Sequence, residues 1–280
     1  MSDLLTEKTQ ARPNPRQEEA ARAKGASLRR TRTVAVTRGA AGLVALALVW
    51  EFAPRWGLVD PYSIPPLHVV LQEWWSMVLD GELWRDVSAS LKRSVVGFSL
   101  AIVLAIPLGA AIAWYRPVRE FFTPALEVFR NTAALAILPV FILLLGLGET
   151  SKIAIVLYAC FFPILLSTIA GVASVDAQLL RSARVLGLSP VATFRKVAFP
   201  AAVPTIFTGI RISGAAAILV LIAAEMIGAN AGLGFLINYA QYNFLIPKMY
   251  AAILTTSLLG VAVNYGLVAL ERRFSQWRAA

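Results

Sequence analysis

The sequence predicts an all-α membrane protein with six transmembrane helices, carrying a bent pair of short amphipathic helices outside the lipid. Three observations lead there. Of 280 residues, 58% are apolar and only 15% charged, where a soluble domain carries about 45–50% and about 25%. The apolar residues gather in six runs, near 34–53, 93–115, 121–147, 152–173, 206–228 and 249–270, each near the ~20 residues that cross a bilayer as helix. Most basic residues fall outside or at the ends of these runs, with an excess on one side of the membrane.

Residues 1–33 form a basic tail. Nine of the 26 Lys and Arg lie in the first 38 residues, interleaved with Glu, Gln, Ala and Pro, and no aromatic residue precedes Trp50. That composition cannot bury a core and predicts disorder. The run at 34–53 ends in WEFAPRW, which lacks the small residues of a cleavage site, so it predicts an uncleaved first span. The net charge of +10 does not signal nucleic acid, because it sits in this tail and in loops.

Residues 54–90 form the first outer loop. Within PPLHVVLQEWWSMVLDGELW, Val69, Val70, Trp74, Met77 and Val78 recur at helical spacing beside the pair Trp74-Trp75. This predicts an amphipathic helix at the membrane interface, with a docking surface for an extracytoplasmic partner as the alternative. The core then runs from 91 to 273. Its prolines 107, 124, 139 and 163 fall within or at the ends of spans, where neighbouring helices satisfy the backbone groups that kinks release. GLGET (146–150) alone divides the third and fourth spans and predicts a tight helical hairpin. Residues 274–280 form a second short tail.

Basic residues favour the cytoplasmic side of short loops. With both termini inside, eighteen Lys and Arg lie in the cytoplasm, including those of segment 174–205. Only Arg55, Arg85, Lys92, Arg93, Lys152 and Lys248 lie outside. The protein is therefore expected in the cell membrane as a multi-pass chain.

Polar groups inside spans face protein or water. Glu127, Arg130 and Asn131 share one face of the third span, either as a Glu127–Arg130 pair or with Arg130 and Asn131 lining a path for an anion. Glu225 precedes the glycine-rich GANAGLGF and reads as a pathway residue anchoring an outer gate, or as packing. Arg211 is expected to snorkel, and the run SGAAA (213–217) suits close helix contact. Tyr158, Thr255, Thr256 and Asn264 complete the candidates for a cavity. A single cysteine, Cys160, and a single histidine, His68, leave no intrachain disulfide and no Cys/His zinc site. No constellation of catalytic groups is visible, and no G-x-x-x-x-G-K-[ST] occurs, so the chain supplies no P-loop.

Segment 174–205 reads SVDAQLLRSARVLGLSPVATFRKVAFPAAVPT. Ser174 or Asp176 caps a first helix with Leu179, Leu180, Ala183 and Leu186 on one face. Gly187 ends it in the left-handed conformation. Ser189-Pro190 starts a second helix, with Val191, Phe194 and Val197 on one side and Arg195 and Lys196 on the other, and Pro200 ends it. Such a basic pair either lies on the anionic inner leaflet or inserts into a cleft on a soluble partner.

The spacing of Ala183, Gly187, Val197, Phe199 and Pro200 resembles the "EAA" loop of binding-protein-dependent ABC importer permeases. Arg181-Ser182 stand where that family has Glu-Ala, and Val197 and Phe199 where it has Ile and Leu. The resemblance extends over about 62–273. GLGETSKIAIVLYACFFPILLSTIAGV and AEMIGANAGLGFLI are similar to the nitrate/sulfonate/taurine branch, while RNTAALAILP (130–139) replaces a stretch that is often proline-rich there. The resemblance implies a type I ABC importer permease fold with cytoplasmic coupling helices. Arg181, Ser182, Ala183, Gly187, Ser189, Pro190, Phe194, Val197, Phe199 and Pro200 would meet the ATPase. The implied partners are a cytoplasmic ABC ATPase dimer that uses ATP and Mg, a second permease subunit giving a homodimer, an extracytoplasmic solute-binding protein and membrane lipid. The chain itself would bind no cofactor. The implied cargo is a sulfonate, taurine, nitrate or related anion. The rival readings are an ATP-independent secondary transporter or channel, a membrane enzyme and a membrane assembly factor.

Overall fold

The computed structural model describes residues 37–274; the expected tails, 1–33 and most of 274–280, lie outside the described residues, as does the start of the first expected span. The chain divides into two compact units between His68 and Val69.

In the first unit, helix α1 covers residues 37–55. A loop folds back on it. Trp50 Nε1 donates to Pro65 O at 3.1 Å, and Glu51 accepts from the His68 N–H at 3.0 Å. Asp60 turns the loop by accepting from the N–H of Tyr62 at 3.1 Å and from Ser63 Oγ at 3.2 Å. Glu51 also pairs with Arg55 one turn on.

Every regular element of the second unit among the described residues is a helix. Helix α2 (Leu67–Leu79), whose residues from Val69 onward belong to this unit, is the expected amphipathic helix: Val70 and Met77 are buried, and Trp74 Nε1 donates to Thr255 Oγ1 at 3.0 Å. Then follow α3 (Glu82–Trp114), α4 (Arg116–Asn131), α5 (Ala134–Leu145), α6 (Glu149–Ala173), α7 (Ala177–Val185), α8 (Pro190–Thr193), a π-helical turn (Phe194–Ala198), α9 (Phe199–Glu225), α10 (Leu233–Tyr242) and α11 (Ile246–Phe274). Four helices among the described residues are long and apolar enough to cross a membrane: α3, α6, the continuous stretch Pro190–Glu225, and α11. The pair α4–α5 makes a fifth span if its two arms count as one.

Two expected spans need correction. The third is not a single helix over 121–147 but two arms meeting at 90°. At the break, Thr132 and Ala133 both take extended backbone angles, with ψ 121° and 120°, and α4 closes with the Thr132 N–H on Phe129 O at 3.2 Å. The second span does not begin at 93. Helix α3 starts eleven residues earlier, at Glu82, so Asp86 and Arg93 are helical and buried at 4% and 3% exposure. Lys152, counted among loop cations by sequence, lies in α6 at 2% exposure.

Small residues bring the long helices together. Gly97, Ala101, Ala105 and Gly109 recur every fourth residue along the buried face of α3. A Cβ at Gly97 would stand 2.8 Å from Ile153 O, and one at Gly109 would stand 2.9 Å from Leu165 O. Backbones of α3 and α6 therefore meet directly, the close approach that small residues permit where lipid removes any hydrophobic drive between helices. On the other side of α6, a Cβ at Gly209 of α9 would come within 2.4 Å of Ser167 Cβ. Cys160 Sγ donates to Ser213 O at 3.4 Å across the same contact. Ile155, Cys160, Ile164, Leu165 and Leu221 fill the core.

Candidate functional site: a bent helical segment and a buried polar cluster

Two features stand at opposite ends of the long helices. Segment 174–205 joins the end of α6 to the start of α9. The polar cluster lies where α3 and α6 begin and α9 ends.

The bend in the first feature follows from local chemistry. The Asp176 carboxylate caps α7 by accepting from the Gln178 N–H at 2.7 Å. Gly187 takes φ +74°. Its N–H bonds to Arg184 O at 3.0 Å, and the Leu188 N–H bonds to Ala183 O at 3.1 Å, the paired bonds of a Schellman stop. Ser189 Oγ then accepts from the Ala192 N–H at 3.3 Å, with Pro190 in the first turn. Pro200 does not end the second helix, contrary to expectation. The Phe199 N–H reaches back five residues to Phe194 O, and this π-helical turn moves the carbonyl that the proline ring would strike in a regular α-helix. Helix therefore runs on into α9, with Pro200 in its first turn.

Ala183 is buried at 3% exposure, and Leu180 is half-buried beside it. The expected single apolar face is split, because Leu179 and Leu186 point away from the core at 51% and 79% exposure. Val185 and Val191 are also exposed, at 88% and 73%. Arg181, Ser182, Ser189, Pro190, Arg195 and Lys196 lie on the surface, while Val197, Phe199 and Pro200 are half-buried. Phe194 meets Trp114 of α3 edge-on at 5.0 Å and Phe199 at 6.0 Å, so this aromatic group ties the segment to the membrane helices. Trp114, Leu180, Arg184, Leu188, Pro190 and Thr193 line a hollow of about 290 Å³.

The second feature centres on Glu225, which has no exposed surface. Its Oε2 accepts from Ser90 Oγ at 2.7 Å and from the Gly234 N–H at 3.1 Å. Its Oε1 accepts from Arg93 Nη1 at 2.6 Å. The same guanidinium donates to Ala231 O at 2.7 Å and forks onto both carboxylate oxygens of Glu149, at 2.6 and 2.5 Å. Asp86 accepts from the Gly232 N–H at 2.8 Å, and Ser90 Oγ accepts from the Leu233 N–H at 2.9 Å. Three successive N–H groups at the start of α10 are thus satisfied by side chains of α3 and α9, where a helix start would otherwise leave them orphaned. Lys152 Nζ adds bonds to the carbonyls of Leu147, Gly148 and Gly228, at 3.2, 3.2 and 3.1 Å.

The glycines of AEMIGANAGLG are required by this packing. Gly232 has φ +122°, and a Cβ there would fall 2.5 Å from the Glu225 carboxyl carbon; one at Gly234 would fall 2.2 Å from Ile222 O. The cluster is a polar tie among four helices, in which Ser90 Oγ, the Arg93 guanidinium and the Glu225 carboxylate are all engaged in bonds to one another or to backbone. Among the described residues no three His, Cys, Asp or Glu side chains converge as metal ligands.

Sequence reasoning reached Glu225 but not Arg93, Ser90 or Asp86. The signal was present: Asp86, Ser90, Arg93 and Gly97 are spaced four, three and four apart, one stripe of a helix. Arg130 and Asn131 end α4, and their side chains lie outside the described residues. Glu127 sits on the exposed side of α4. Arg211 does not simply snorkel; its Nη1 donates to Glu271 Oε2 of α11 at 3.0 Å. Tyr158 links α6 to α4 through Phe129 O at 3.4 Å.

The profile of a family described as "Binding-protein-dependent transport system inner membrane component" matches residues 78–276. A probable ABC transporter permease of Brucella abortus is 38% identical over 209 residues, covering 75% of this chain and 84% of that protein. The taurine transport system permease TauC of Escherichia coli is 34% identical over 247 residues, covering 86% and 90%. The nitrate import permease NrtB of Synechocystis is 31% identical over 245 residues, covering 84% and 88%. Among solved structures, an inward-facing MetNI methionine ABC transporter aligns with TM-score 0.61 at 16% identity, covering 70% of this chain and 96% of that chain. That likeness is one of fold.

Proposed function

The chain belongs to the family of binding-protein-dependent transport system inner membrane components, a multi-pass permease and not a catalytic subunit, and we propose that it imports a small anion with energy from a separate ATPase. Relatives named for taurine, aliphatic sulfonates and nitrate support an anionic cargo. An external binding protein delivers it. Two copies of the chain enclose the path, with both termini in the cytoplasm and α7–α8 on the same side. ATP and Mg act in the partner, and this chain binds neither. Arg130 and Asn131, in the last turn of α4, are assigned to the path by sequence, and Glu225 anchors its outer end through Arg93.

One observation carries the reading. The Schellman stop at Gly187 sets α7 and α8 as an elbow between α6 and α9, with Leu186 and Val191 exposed at 79% and 73%. An apolar elbow outside the lipid calls for a partner, and its aromatic root on Trp114 passes displacement to α3. Residues Arg181, Ser182, Ala183, Gly187, Ser189, Pro190, Phe194, Val197, Phe199 and Pro200 form or support that elbow.

The test is purification of the tagged chain from its native membranes in mild detergent, followed by mass spectrometry of what accompanies it. A P-loop ATPase at near-equal stoichiometry is expected. Absence of any nucleotide-binding partner, even after cross-linking, would overturn the coupling role of the elbow.

A further inference from the structure

We propose that the surface receiving the elbow is acidic: an apolar-floored groove on the ATPase whose rim presents carboxylates to Arg181 and Arg184. This rests on the docking reading above and goes beyond it by fixing the chemistry of the partner. Between 174 and 205 the chain has four cations, Arg181, Arg184, Arg195 and Lys196, and one anion, Asp176. Asp176 is engaged in capping α7. All four cations are exposed, and none of them forms an ion pair among the described residues. The one side-chain bond of Arg184 there is a long one, 3.4 Å to Leu180 O.

The arrangement of the outward face distinguishes a protein groove from a lipid surface. A helix lying on a leaflet segregates its residues, with the apolar face free for acyl chains and cations on the flanks. Here the segregated apolar residues are already used: Ala183 is buried, and Leu180 and Leu188 are half-buried against the chain itself. What faces outward is mixed, with Leu179, Val185 and Leu186 interleaved with Arg181 and Arg184. Interleaved apolar and cationic groups suit an interface with an apolar centre and a charged rim. A neutral or basic rim would leave the cations desolvated without compensation. Among the described residues Thr193 Oγ1 of this loop is buried without a hydrogen-bond partner, on the wall of the hollow that Arg184 shares.

The experiment measures ATPase affinity for the full-length chain in neutral detergent across a salt series. It is repeated in nanodiscs of neutral and of anionic lipid, for wild type and for Arg181→Glu/Arg184→Glu. Wild-type affinity should fall as salt rises. The double reversal should weaken binding by roughly tenfold at low salt and flatten or invert the salt dependence. The pair Arg181→Gln/Arg184→Gln should lie between, and unchanged melting temperatures separate these effects from misfolding. Equal affinity and equal salt dependence for all three chains would overturn the acidic rim while leaving docking intact. An effect confined to anionic nanodiscs would assign the arginines to lipid and also overturn it. Failure of the wild type itself to bind at any salt would instead remove the docking reading beneath it.

Discussion

Replacing Arg93 with Met should be among the most damaging single changes in the membrane core. The guanidinium is 3% exposed and donates four hydrogen bonds, two to Glu149, one to Glu225 and one to Ala231 O. Met conserves much of the volume and removes the charge. Glu225, with no exposed surface, keeps its bonds from Ser90 and Gly234 but loses its counter-charge. Breaking a buried pair from one side costs about 3–5 kcal/mol, which for a chain of this size corresponds to a fall of roughly 10 °C in Tm. Glu149 is 64% exposed, so Glu149→Gln should cost no more than about 1 kcal/mol. In the double variant Arg93→Met/Glu225→Gln the amide still accepts from Ser90 and Gly234, and no charge is stranded. It should recover about 2 kcal/mol of the single loss. Thermal unfolding of the detergent-solubilised protein, followed by tryptophan fluorescence, measures all four chains. A Glu149→Gln variant as damaged as Arg93→Met, or a double variant no better than the single, would refute the account of Glu225 as the dependent charge.

Gly187→Val should leave the protein inserted and folded while uncoupling ATP use from transport. A Cβ at Gly187 meets no atom within 4 Å, but φ is +74°, and a β-branched residue there carries strain of about 1–3 kcal/mol. Gly187→Asn should be nearly silent, since Asn tolerates that region; equal transport by Gly187→Val and wild type in proteoliposomes would contradict the role of the bend. Gly97→Leu should separate α3 from α6, because its Cβ alone would fall 2.8 Å from Ile153 O. Loss of the monodisperse species in size-exclusion chromatography checks this, and a stable, well-behaved variant would contradict the direct backbone contact.

What could be read from the sequence was what local chemistry decides. The four long helices follow from apolar runs. The elbow follows from Asp176, Gly187 and Ser189-Pro190, because caps and left-handed stops involve neighbours within a few residues. The elbow's continuation past Pro200 was not legible, since a π-helical turn depends on where the preceding carbonyls settle. Nor was the break legible, because Thr132 and Ala133 turn to extended backbone in a stretch that reads as one apolar run. Arg93 and Lys152 read as loop cations by sequence, because a sequence shows a charge and not its partner. Among their partners are Glu225, 132 residues from Arg93, and Gly228 O, 76 residues from Lys152. The helix α10 was hidden for a similar reason: its first N–H groups are answered by α3 and α9 and by no capping residue of its own.

The central claim is most directly tested by uptake of labelled taurine and of labelled nitrate into proteoliposomes containing the chain, the ATPase that accompanies it and its binding protein. Uptake of one of these anions that requires internal ATP, Mg and the binding protein together is the predicted result. Uptake driven by an ion gradient with no ATPase present would contradict it.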